Sequence, residues 1–172
     1  MSRSHFILMT TALCVGLGFA GTARQTSAQS ATQKFVGTWS LGSIVYVSPD
    51  GHKIEPFGHD AKGLLYFDAG GHFATQVMRV DRPPFASNNR MLGTPDENKS
   101  ASQGVVAYFG TYNVDESNRI LTLHIEQSSF PNWNGTDQKR MFAFSGDQLR
   151  YTAASSTANP GESAELIWKK LR

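Results

Sequence analysis

From Gln29 onward, apolar and polar residues alternate with a period of two along most of the chain. Successive side chains of a strand point to opposite faces, so this period predicts β-strands rather than helices. The runs are TWSLGSIVYV (38–47), GLLYFD, HFATQVMR, YFGTYNV, RILTLHIEQ, DQKRMFAF, QLRYTAA and AELIWKK. Turn residues separate them: Pro49-Asp50-Gly51, Ala69-Gly70-Gly71, Asp115-Glu116-Ser117-Asn118 and Ser145-Gly146-Asp147. Ala69-Gly70-Gly71 is a particularly strong hairpin signal. Eight strands joined mostly by short hairpins predict an all-β fold, either a closed up-and-down barrel or a two-sheet sandwich. The meander order favours the eight-stranded antiparallel barrel, because closure removes exposed edges without crossover connections. A barrel of that size is either filled by side chains or holds one small ligand.

One segment departs from the alternation. GTPDENKSASQGV offers Thr94 as N-cap, Pro95 at the first helical position, Asp96 in the first turn and Glu97 to complete a capping box. It predicts a short helix from Pro95 to about Gly104. Before it runs VDRPPFASNNRMLG (80–93), a loop of unusual length for a compact domain. Such a loop serves either as a lid or as an ordered surface excursion. Arg79 and Arg82 flank it, available to an anionic ligand at the mouth or to Asp81.

The N-terminal 28 residues have another character. MSRSH is a short basic start, and FILMTTALCVGLGFAG is an apolar run of secretory length followed by small residues. Residues 1–28 therefore read as a signal peptide cleaved near Ala28, alternatively Ala23, with a retained anchor as the competing reading. Residues 29–172 then form a single domain, periplasmic or secreted, with no membrane span in the mature chain. Removing the leader also changes the charge. The chain has 16 Lys+Arg and 14 Asp+Glu; the leader takes away Arg3 and Arg24 and no acid, leaving 14 against 14. A neutral mature domain with no basic cluster larger than a pair does not suggest a nucleic-acid partner. Cys14 is the only cysteine and lies in the leader, so the mature domain must rely on its hydrophobic core.

Chemistry concentrates in LTLHIEQSSFPNWNGTDQKR (121–140). Thr122, His124, Glu126 and Ser128 share one strand face, and Leu121, Leu123, Ile125 and Gln127 share the other. Taken alone, this buries the aliphatic side and leaves His124 and Glu126 wet. In the following strand, Gln138, Arg140, Phe142 and Phe144 share a face whose aromatics draw it inward. The preceding strand adds Tyr108, Gly110 and Tyr112. If the barrel axis lies on that side, Tyr108, Tyr112, His124, Glu126, Gln138 and Arg140 line a cavity, with Glu126 required to pair with Arg140. Both placements stand on the pattern, and the aromatic pattern favours the interior one. Phe130 and Trp133 are expected at a barrel rim, covering an open end or stacking on a ligand. His52, His59, Asp60 and His72 show no metal-ligand spacing, and no phosphate loop, dinucleotide fingerprint or nucleophile elbow is present. No metal or cofactor is therefore expected.

KFVGTWSL (34–41) resembles the lipocalin Gly-x-Trp signature at the start of the first strand. PFGHDAKGLLYFDAGGHFATQVMRVDRPPF, GTPDENK, AYFGTYNVD, FPNWNGTDQKR and LIWKK, in that order, resemble the bacterial and fungal lipocalin-like family over roughly Phe35 to Lys170. The resemblance implies a calycin-type barrel with a central cavity, and a Trp39 that closes the barrel bottom. Two departures stand out. The family often has paired histidines in the strand of His124, where this chain has Leu123 before a single histidine. Lipocalins usually pack an Arg from the last strand over the first-strand Trp, a task left here to Lys170 or Arg172.

Three functions remain open. The favoured one is an exported protein that binds a small, largely apolar ligand carrying a polar or anionic group. The alternative is a cofactor-independent acid/base enzyme (an isomerase, cyclase or dehydratase), with His124 as acid or base, Glu126 orienting it, and Tyr112 or Arg140 stabilising an oxyanion. The third is a filled barrel acting as an interaction module.

Overall fold

The structure, a computed structural model, describes residues 30–154 and 161–172. The expected signal peptide and its cleavage sites lie outside the described residues. The alternating runs form β1 (Gly37–Val47), β3 (Lys62–Phe67), β4 (His72–Met78), β5 (Val105–Asp115), β6 (Ile120–Ser128), β7 (Thr136–Ser145), β8 (Gln148–Ala153) and β9 (Ser163–Lys170). Each pairs antiparallel with the next, and β1 pairs with β9, which closes an eight-stranded barrel. A two-residue strand, β2 (Lys53–Ile54), adds to the end of β1. The long first strand makes closure possible: Gly37–Ser40 pair with β3, while Trp39–Val47 pair with β9 across an irregularity at Gly42.

Two α-helices accompany the strands among the described residues. The expected capping box forms at α2 (Pro95–Gln103), where Thr94 Oγ1 accepts from the Glu97 amide and Glu97 accepts from the Thr94 amide. Glu97 also accepts from the Ala86 amide at 2.8 Å, tying the preceding loop down to the helix. These bonds hold its carboxyl below the usual range. Arg79 makes a two-point ion pair with Asp81, at 2.9 and 2.6 Å. The 80–93 segment is thus an ordered surface excursion.

The other helix, α1 (Ala31–Phe35), is one turn long and seals one barrel end. Phe35 is fully buried and meets Phe67, Phe142 and Phe144 edge-on, with ring centroids 4.9–5.1 Å apart. Trp39 Nε1 donates to the Phe35 carbonyl at 2.8 Å, so the first-strand Trp holds the plug in place. Lys170 lies over the Trp39 ring, its Nζ 4.9 Å from the centroid, and donates to the Lys34 carbonyl. An ammonium therefore occupies the position where the resemblance implied a guanidinium. Burial holds it below the usual lysine value.

Candidate functional site: a donor-lined barrel cavity

The aliphatic stripe of β6 decides which residues enter the barrel. Leu121, Leu123 and Ile125 are fully buried, and in β7 their paired positions put Arg140 opposite Leu121 and Gln138 opposite Leu123. Cross-strand partners share a face, so Gln138 and Arg140 turn inward with the leucines. By the same register His124 pairs with Asp137 on the outer surface. Its Nδ1 lies 2.7 Å from Asp137 Oδ1, with both side chains more than half exposed.

Glu126 follows His124 on the outer face, and a bulge begins at its position. Gly110 pairs with Ile125 and Phe109 with Gln127, so Glu126 is the extra residue of a β-bulge and is exposed. Gly110 makes the bulge possible: a Cβ there would run into the His124 carbonyl oxygen and the Glu126 amide. Beyond the bulge the phase shifts, so Gln127 is exposed beside Phe109 rather than continuing the buried stripe.

The six residues expected at the cavity therefore divide. Tyr108, Gln138 and Arg140 line it. His124 and Glu126 are on the outside, which corrects the interior placement; the unperturbed aliphatic alternation of β6 outweighs the pull of neighbouring aromatics. Glu126 cannot be the partner of Arg140. Tyr112 also misses the cavity: it belongs to the closed end, with its ring 4.8 Å from Phe67 and its hydroxyl donating to the Asp68 carbonyl at 2.8 Å. The acid/base constellation of His124, Glu126 and Tyr112 is thus not assembled. The departure from paired histidines falls on Leu123, the inward position of that pair, so no imidazole enters the barrel from β6.

The cavity occupies the half of the barrel away from α1 and has a volume of about 410 Å³. Its walls are chiefly apolar, from Ile44, Val77, Val106 and Leu166 among others. None comes from the 80–93 loop. Trp133, in a 3-10 turn (Pro131–Trp133) between β6 and β7, covers one side with its ring edge-on to Tyr108 at 5.3 Å. Phe130 meets the Trp133 ring edge-on, with centroids 5.7 Å apart, and stays partly exposed.

The polar contribution to this apolar space is one-sided. Arg140 is 9% exposed. Its guanidinium donates to the Lys139 carbonyl at 3.1 Å and to Gln138 Oε1, leaving three of its five N–H groups for other acceptors. Three further donors line the cavity: the Tyr151 hydroxyl and the indole N–H groups of Trp133 and Trp168. All three are buried without a hydrogen-bond partner among the described residues. The Tyr151 hydroxyl neighbours those of Tyr108 and the Trp168 N–H, yet completes a hydrogen bond with neither. Burial, and next Tyr108, push the Tyr151 hydroxyl well above the ordinary phenol value, while Arg140 pulls it partly back. Among the described residues, no carboxylate lines the cavity. Among the described residues, no group of three or more His, Cys, Asp or Glu side chains converges as a metal site would require.

Tyr151 and Trp168 are absent from the residues expected at the site, although the alternation carries them. Leu149, Tyr151 and Ala153 share one face of β8; Ala164, Leu166 and Trp168 share one face of β9.

Residues 36–171 match the family model described as the lipocalin-like domain. The chain belongs to that family. This lipocalin-like chain is also 31% identical over 106 residues to the 4'-hydroxy-3'-methoxypropiophenone carrier protein of Aspergillus oryzae (strain ATCC 42149 / RIB 40), an alignment covering 57% of this chain and 96% of the relative. Among solved structures it is similar to a lipocalin-like protein from Bacteroides uniformis ATCC 8492, with a TM-score of 0.43 and 15% identity over 80% of this chain and 99% of the other. The lipocalin-like barrel described above is consistent with ligand binding.

Proposed function

We propose that this lipocalin-like protein is an exported, non-catalytic carrier that encloses one small, largely apolar molecule bearing oxygen acceptors. One observation carries the reading: Arg140, Tyr151, Trp133 and Trp168 present N–H and O–H donors within a cavity whose walls are otherwise mostly apolar. A buried donor without an acceptor costs on the order of 1–3 kcal/mol, so a guest with oxygen acceptors suits donors that the wall itself leaves unpaired. The volume, about 410 Å³, suits a single small ligand. The A. oryzae relative, named as the carrier of a methoxylated hydroxyphenyl ketone, supports both the carrier role and a flat, oxygenated aromatic occupant. Export rests on the N-terminal sequence, MSRSH followed by its apolar run.

Native mass spectrometry of the protein, expressed from the full chain and purified gently from the exported fraction, tests this. Expected are a chain beginning at Gln29, or at Arg24 for the alternative cleavage, and a small-molecule adduct that is lost in Arg140→Leu. Titration with 4'-hydroxy-3'-methoxypropiophenone should quench the fluorescence of Trp133 and Trp168 and raise the melting temperature. A protein retaining residues 1–28 overturns export. An adduct-free protein whose fluorescence and melting temperature ignore aromatic ketones overturns the carrier.

A further inference from the structure

Arg140 presents an unbalanced charge. It is almost fully buried, and its two described hydrogen bonds go to neutral oxygens, Gln138 Oε1 and the Lys139 carbonyl. Besides Arg140, the titratable residues lining the cavity among the described residues are Tyr46 from β1, Tyr108 from β5, Tyr151 from β8 and Lys139, whose position on β7 alternates with Arg140 and is exposed. Strands β4 and β9 contribute none. None of these is a carboxyl, so among the described residues no acidic group of the wall offsets the guanidinium. A buried charge without a counter-charge is costly, and a bound anion relieves that cost where a neutral guest does not.

The remaining donors reinforce the preference. Tyr151 O–H and Trp168 Nε1–H are both buried, unpartnered and beside one another at the Arg140 side of the cavity. An ionised oxygen accepts from several donors at once, whereas a neutral hydroxyl must spend one direction donating its own proton. With Gln138 Oε1 already taken by Arg140, the cavity offers such a proton few acceptors.

From this we infer that the barrel selects the ionised form of an aryl oxyacid, a phenolate or an aryl carboxylate, seated against Arg140 with Tyr151 and Trp168 completing its coordination. The inference rests on the carrier reading and adds the charge state of the cargo. Tyr151 itself stays protonated through the neutral range, because burial holds its hydroxyl well above the ordinary phenol value. With no carboxyl or imidazole lining the cavity among the described residues, the pH dependence of binding follows the ligand. Affinity for a phenol rises as pH passes through the ligand's own titration and levels off once it is ionised. A ligand without that proton shows a flat profile.

Three probes separate the possibilities: 4'-hydroxy-3'-methoxypropiophenone, its non-ionisable O-methyl ether 3',4'-dimethoxypropiophenone, and 4-propylbenzoate as a fixed anion. The protein is the purified product of the full chain, read by tryptophan fluorescence and by ligand absorption. Expected is a phenolate absorption band from the bound phenol about one pH unit below its titration in free solution. The ether should bind roughly tenfold or more weakly than the ionised phenol. Arg140→Met, shown to be folded by its melting curve, should lose the band and bind phenol and ether alike. Arg140-dependent binding of the benzoate without a phenolate band also supports the inference and names carboxylate as the cargo's anion. Equal binding of phenol and ether, with no band and no Arg140-dependent benzoate binding, overturns it and leaves the carrier reading standing. Failure of all three probes to bind overturns both.

Discussion

Arg140 donates to the side-chain oxygen of Gln138, two positions earlier on the same inward face of β7. The pair has the asymmetry of a binding site rather than of a structural ion pair: a buried cation oriented by a neutral amide. Replacing a buried charge with an apolar side chain of similar volume is often neutral or stabilising. Arg140→Met should therefore leave the ligand-free protein as stable as wild type, or more stable by up to about 3 kcal/mol in urea unfolding. Gln138→Leu should do the opposite, costing about 1–3 kcal/mol because it strips an acceptor from a buried guanidinium. A large loss of stability in Arg140→Met would show that the guanidinium holds the barrel together.

Gly110 and Glu126 form the second relationship with a direct test. The bulge at Glu126, which shifts the phase so that Gln127 is exposed, needs the close approach of the β6 backbone to the Gly110 Cα. A methyl group at position 110 meets main-chain atoms of His124 and Glu126, which cannot rotate away as a side chain can. Gly110→Ala is expected to destabilise by about 3 kcal/mol, the upper range for overpacking, as measured by denaturant midpoint at unchanged slope. A change below about 0.5 kcal/mol would mean that the bulge relaxes freely.

The barrel itself is legible in the alternation, because eight runs of period two each bury one face. Trp39, Leu65, Phe67, Leu121, Leu123 and Ile125 sit at alternate positions and are all buried. What the alternation leaves open is the phase between adjacent strands. Bringing His124 inside beside Arg140 needs a one-residue slip of β6, and such a slip exposes Leu121, Leu123 and Ile125 together. Three buried aliphatics outweigh two polar residues in that choice. Tyr151 and Trp168 follow from the same rule applied to QLRYTAA and AELIWKK, runs without a conspicuous ionisable cluster. The bulge is harder to read, since Gly110 looks like any strand glycine until its partner strand is placed. Strand β2 is two residues long, too short for any periodicity, and α1 shows only its capping pair, Ser30 and Gln33.

His124 offers a check on the placement of the polar face. Its imidazole meets Asp137 on the solvated outside of the barrel. His124→Ala is expected to change stability by no more than about 0.5 kcal/mol and to leave ligand affinity unaltered, read by thermal melting and fluorescence titration. Loss of ligand binding in this variant would return His124 to the cavity and revive acid/base chemistry there.

Tyr151 ties the cavity to alkaline stability. Its hydroxyl is raised well above the ordinary value in the folded protein, by burial first. In the unfolded chain the same phenol ionises near pH 10. Above that pH the unfolded state releases a proton that the folded state retains, so the unfolded state binds fewer protons and stability falls as pH rises. The fall starts near pH 10 and continues until the folded-state value is reached. Tyr151→Phe removes the titrating group and the buried, unpartnered hydroxyl together. At neutral pH it should be neutral or stabilising by roughly 1 kcal/mol, and above pH 10 its unfolding midpoint should decline less steeply than that of wild type. Its affinity for an ionised aryl ligand should drop by roughly tenfold, the expected effect of losing one charge-assisted hydrogen bond. Parallel decline of the two proteins at alkaline pH would place the Tyr151 hydroxyl in water rather than in the barrel.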